Sequence, residues 1–275
     1  MSSVAQPVQS SPPKPKWRVT QMHVISSEFL KLRTVRSTYW TYLITLAVTV
    51  GLGALFSLAT ALAYAGGDLP PGTVMDPTGT SLSGLFLSQL AVGVLGVLFI
   101  SSEYSSGMIR ATFSAVPKRL PVLVAKAVVL AVSTFVVTLV GSFAAFFVGQ
   151  LVFKTQHLET SLSADGVLRA VVGCALYLTG VALLGLALGA ILRSTAGAIA
   201  VLAGLLFVLP ILVAFLPQTF SQNITKYQPG TAGQAIIQVF QQPTLLSPWA
   251  GFALFCGYIA VLLIIATFLV KKRDA

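Results

Sequence analysis

The chain has 275 residues, 56% of them hydrophobic and 9% charged, with a mean hydropathy of +0.89. A soluble domain carries about a quarter charged residues, so this composition excludes an ordinary soluble domain and makes a bilayer the expected solvent. The formal charge of +10, from 17 basic against 7 acidic residues, would suggest nucleic acid in a soluble chain; here the expectation is basic inner loops and no nucleic-acid partner.

Residues 1–20 are rich in Ser, Pro and Gln and carry Lys14, Lys16 and Arg18, which reads as a disordered basic tail. No secretory signal is expected. The first apolar run starts near Trp40 and continues for about 25 residues, longer than a signal core and long enough to span. Residues 21–39 differ from both. Ile25, Phe29 and Leu32 recur at helical spacing beside the basic Lys31, Arg33 and Arg36. This pattern predicts an amphipathic helix on the inner membrane surface, leading into the first span. The alternative is an ordinary charged flank of that span.

Six apolar segments follow within 40–270, near 40–64, 84–102, 122–150, 169–192, 195–216 and 248–270. Each can cross a hydrocarbon core about 30 Å thick. The stretch 169–216 is too long for one crossing, and Arg193-Ser194 marks the turn within it. Residues 271–275 form a basic tail. With both termini inside, fourteen of the 17 lysines and arginines fall on the inner side, leaving Lys154, Arg169 and Lys226 outside. That bias predicts N-in, C-in topology. The fold class is therefore an all-α membrane protein of six spans.

Several chemistries are missing. No G-x-x-x-x-G-K-[ST] loop occurs, so the chain should bind no nucleotide itself. His23 and His157 both lie outside the spans, and Cys174 and Cys256 sit in apolar runs; no metal site, disulfide or catalytic constellation is expected. The spans also lack central carboxylates of the kind proton-coupled carriers use. Lys126, Arg169 and Arg193 sit near span ends, where long side chains can snorkel. Gly185 and Gly189 form a small-xxx-small pair, either an internal contact or a dimer seam.

Two connections stand out. Before the last span, "TAGQAIIQVFQQP" places Gln234, Gln238 and Gln241 at helical spacing on one polar face. This is either a helix resting on the outer surface or a re-entrant helix shielding an exit path. Between the second and third spans, "EYSSGMIRATFSAVPKRLP" runs from Glu103 to Pro121. Gly107 and Pro117 bound a short predicted helix, since Pro117 pushes Val116 out of helical geometry, and Pro121 suits the first turn of the next span.

The "SSEFLKLRTVRSTYW" before the first span, "EYSSGMIRATFSAVPKR" after the second and "LVAKAV" opening the third resemble the permease subunits of bacterial type-2 ABC exporters. The resemblance covers essentially the whole chain. It implies that the inner loop is a coupling helix docked on a separate ATPase subunit, with Glu103, Gly107, Arg110, Pro117 and Arg119 at that contact. It further implies two permease copies or related permeases, two ATPase copies that hold ATP and Mg, and placement in the bacterial plasma membrane. No cofactor is then bound by this chain, and it is a transport subunit rather than an enzyme. The cargo would be a lipophilic or amphipathic compound such as a drug, antibiotic or lipid. The competing functions are a secondary carrier or channel working alone, and a non-transport immunity or sensory component.

Overall fold

The computed structural model describes residues 21–67, 75–105, 119–240 and 242–272. The tail 1–20, the loop residues Gly107, Arg110 and Pro117, Gln241, and residues 273–275 lie outside them. Among the described residues every regular element is helical. In chain order they are α1 (Gln21–Thr34), α2 (Arg36–Gly66), α3 (Pro77–Ser81), α4 (Leu85–Ser105), α5 (Arg119–Phe153), α6 (Val167–Leu192), α7 (Thr195–Ala214), α8 (Gln218–Thr225), α9 (Pro229–Gln234) and α10 (Pro248–Lys272). Six of them, α2, α4, α5, α6, α7 and α10, are long and apolar enough to cross a membrane.

The bundle is organised around α6. Its run of Ala, Leu and Gly residues presents little bulk, so neighbours can close on it from every side, and it is buried along most of its length. It packs chiefly on α4 and α5, then on α10. The contact with α4 is backbone-close. A Cβ on Gly185 would collide with the carbonyl of Gly93, and one on Gly189 would lie 2.8 Å from the Ile100 side chain. The Gly185/Gly189 pair is therefore an internal packing seam, the arrangement small residues allow between membrane helices.

α2 shows an inverted pattern. Its buried stripe is Thr38, Tyr42, Thr45, Thr49, Gly53, Ser57 and Ala61, while Leu43, Leu55, Phe56 and Leu62 face outward. Apolar groups gain nothing by leaving hydrocarbon, so the inward face is free to carry hydroxyls that bond across helices. Tyr42 does so with Ser133 at 2.9 Å and Thr134 at 3.1 Å on α5, and Thr49 with Ser88 at 2.7 Å on α4.

The remaining elements set the two ends of the bundle. α1 breaks from α2 at Val35, which is extended at φ −80° and ψ 113°, so the first spanning helix begins at Arg36 rather than near Trp40. Arg193 adopts a left-handed conformation at φ 52° and closes α6. The Ser194 hydroxyl caps α7 by accepting from the Gly197 amide at 3.3 Å. α7 is not a regular α-helix throughout, for Gly204–Val208 form a π turn just before Pro210. Proline supplies no backbone donor, and the shifted register accommodates that loss. At the end opposite α1, Asp76 caps α3 by accepting from the Gly79 amide at 2.9 Å. α3 packs on both α2 and α5.

Candidate functional site

The chain carries 7 acidic residues, and two of them meet inside the α1 end of the bundle. Glu28 on α1 and Glu103 on α4 are 1% and 4% exposed, and Lys126 on α5 is 1% exposed between them. The Lys126 ammonium lies 2.7 Å from Glu28 Oε2 and 2.8 Å from Glu103 Oε1. It also stands 4.7 Å from the centre of the Phe99 ring. Lys31, on α1, adds a second cation at 2.7 Å from Glu28 Oε1 and 3.0 Å from Glu103 Oε1.

Among the described residues two carboxylates and two ammonium groups alternate, so their charges balance. Buried charges persist only when paired in this way. Lys31 is the partly exposed member, its side chain one-third accessible. Burial acts to lower its pKa, but the hydrogen bonds to Glu28 and Glu103 and the attraction of their charges together hold it above the ordinary lysine value. It therefore stays charged throughout the physiological range.

Local sequence explains the placement. Val24, Glu28 and Leu32 form the buried stripe of α1 at four-residue spacing, and α1 packs mainly on α5. Gln21 reinforces that seat by donating to the Pro121 carbonyl at 3.0 Å. Beside Glu103, the Tyr104 ring lies 5.1 Å from the Arg193 guanidinium. Ser101 and Thr195 hydroxyls bond at 2.8 Å and join α4 to α7. The Glu103-Tyr104 pair thus ties α1, α5 and the link between α6 and α7 to the end of α4.

Residues expected from sequence fall in different places. Glu103 bonds to lysines of its own chain. Arg119 is the first residue of α5. On α1, Phe29 is 52% exposed and Arg33 and Arg36 are exposed, while Lys31 turns into the cluster. Lys126 corrects the sequence expectation: it does not snorkel to the interface but points into the bundle, because two carboxylates await it there. Glu28 has no role in the sequence reading. Its signal was a single acid within an otherwise basic segment, and its partners are far away in the chain.

The opposite end carries the glutamines. Gln234 ends α9 and its amide donates to the Tyr177 hydroxyl at 3.3 Å; that hydroxyl donates in turn to Gln89. The helix then tightens into a 3-10 turn at Ala235–Ile237, and Gln238 is extended at φ −68° and ψ 119°. The two glutamines therefore do not continue one helical face. The stop has a cause in Arg169, which donates to the carbonyls of Ile236 at 2.8 Å and Gln238 at 2.9 Å. Around this turn Gly230, Ala232, Gly233, Ala235 and Ile236 are buried.

Comparison with curated proteins returned no match. A family model described as an ABC-2 family transporter protein matches residues 24–209, more than half of the chain. The matched stretch runs from the first buried residue of α1 into α7 and holds every member of the charged cluster. With six membrane-length helices and this match, the chain is a multi-pass membrane protein and belongs to the ABC-2 family of transporter proteins.

Proposed function

We propose that this chain is the permease subunit of an ABC exporter. It is inserted in the bacterial plasma membrane with both termini in the cytoplasm and pairs with a second permease copy. A separate ATPase subunit supplies ATP and Mg. The family match and the excess of basic residues on the α1 side support this orientation and role. Exposed Met22, Phe29 and Leu30 on α1 suit a helix half-sunk in the headgroup region.

The observation that carries the mechanism is the buried cluster. In the chain, Glu103 and Lys126 flank the segment that joins α4 to α5, so each end of that connection holds a member of the cluster. A partner that displaces this segment cannot move α4 without α5 and α1, because separating the buried charges costs several kcal/mol. The cluster makes the three helices one lever, and the ATPase pushes on the loop joining two of them. Arg110 and Pro117 belong to the contact surface in this reading, and Glu103 transmits from behind it.

Charge reversal at Arg110 tests the reading. Arg110→Glu should lower transport and ATPase stimulation in reconstituted complex while membrane insertion is unchanged. Full transport by this variant with the ATPase still bound would remove Arg110 from the coupling path.

A further inference from the structure

A cavity of about 610 Å³ lies at the end of the bundle opposite α1, among α2, α3, α4 and the turn after α9. Its apolar walls include Leu52, Phe56, Phe86 and Leu87. Phe86 is braced edge-on by Phe207 of α7, with ring centres 5.3 Å apart. Phe56, Phe86 and Leu87 are each about half exposed on the outside of the bundle, so the cavity opens sideways between the helices. The volume and the apolar lining suit a small lipophilic ligand.

Among the described residues its polar side chains are Asp76, Ser83, Gln234 and Gln238. Asp76 is the charged residue in the lining, and among the described residues it forms no ion pair. One of its oxygens accepts from the Gly79 amide. Ser83 Oγ and Gln238 Oε1 are buried and lack a hydrogen-bond partner, which leaves polar groups desolvated and uncompensated. The glutamine amides and the hydroxyl can donate or accept, whereas the carboxylate only accepts and carries the charge. The unpaired carboxylate calls for a cation.

We infer that this cavity binds an amphiphile with a hydrocarbon body and a primary ammonium headgroup. The body lies between Leu52, Phe56, Phe86 and Leu87. The ammonium pairs with the Asp76 carboxylate. A neutral alcohol would supply one donor and no charge, and an anion would face Asp76 uncompensated. As a binding site this stands apart from the transport reading; as the cargo class it rests on that reading.

The test uses the full chain in phosphatidylcholine nanodiscs, titrated with dansyl-labelled undecyl probes ending in ammonium, alcohol or carboxylate. Saturable binding of the ammonium probe, at least tenfold tighter than the other two, is expected. Asp76→Asn keeps a capping side chain and should weaken the ammonium probe about tenfold or more, the scale of a lost charge-assisted hydrogen bond, with the alcohol unchanged. Leu87→Trp, which narrows the mouth, should weaken all three. Equal affinities, an unchanged Asp76→Asn variant, or purely non-saturable uptake would overturn the inference. A second copy of the chain is the rival occupant. Leu87→Cys in a Cys256→Ser background should give no bismaleimide-linked dimer in native membranes, and a linked dimer would overturn the proposal. Co-purification of an ATPase subunit reports separately on transport. A chain that recruits the ATPase but binds no probe loses the site alone, and the converse loses the cargo role alone.

Discussion

Replacing Lys126 by methionine removes the cation held between Glu28 and Glu103 while keeping a long stem against Phe99. Both carboxylates are then left nearly inaccessible to water, facing each other. Breaking a buried ion pair by deleting one partner costs about 3–5 kcal/mol. Lys31 still touches both acids and recovers part of this, so the low end, about 3 kcal/mol, is expected. At 2–4 °C per kcal/mol for a chain of this size, that is a fall of about 6–12 °C in melting temperature. Tryptophan fluorescence of the detergent-solubilised chain measures it. The triple variant Glu28→Gln, Glu103→Gln, Lys126→Met should recover most of the loss, because neutral groups replace the buried charges together. A Lys126→Met protein melting within about 2 °C of the parent would refute the claim that the cluster compensates buried charge. A triple variant no better than the single would place the cost in packing instead.

Three further outcomes are expected. Gly96→Val should prevent accumulation of folded protein on size-exclusion chromatography, because the new Cβ would strike the Ala182 carbonyl and lie 3.0 Å from the Leu186 amide nitrogen; Gly257→Ala, with open space around it, should be tolerated. Arg169→Leu should raise hydrogen exchange across residues 229–240, since two carbonyls lose their charged donor, at a cost of about 1 kcal/mol for a partly exposed pair. A reporter fused after Thr155 should be accessible only from outside the cell; a cytoplasmic signal would invert the proposed topology.

Hydropathy alone was enough to recover the six spans, because each is a long apolar run and the Arg193-Ser194 link interrupts the one ambiguous stretch. Helix ends were less legible. α5 extends from Arg119 to Phe153, past the expected 122–150 at both ends, since its amide pairing begins ahead of the apolar run and continues through Leu151, Val152 and Phe153. Lys126 illustrates a deeper limit. A lysine about three turns from the middle of its helix looks the same in sequence whether it snorkels outward or turns inward, and only the approach of α1 and α4 supplies its carboxylates. The glutamine face before the last span failed for a similar reason. Helical spacing from Gln234 onward is genuine, but Arg169 of another helix takes the carbonyls that would have continued it.

The charged cluster also constrains how the protein is made. Glu28 lies 98 residues ahead of Lys126, so at a synthesis rate of 5–20 residues per second it waits roughly 5–20 s for that partner. Glu103 appears earlier but brings a second negative charge. Until the third span arrives, α1 has only Lys31 to neutralise its acid and no reason to leave the water-facing surface. Docking of α1 is therefore a late event in biogenesis, and a nascent chain truncated before Lys126 should still expose α1 to protease.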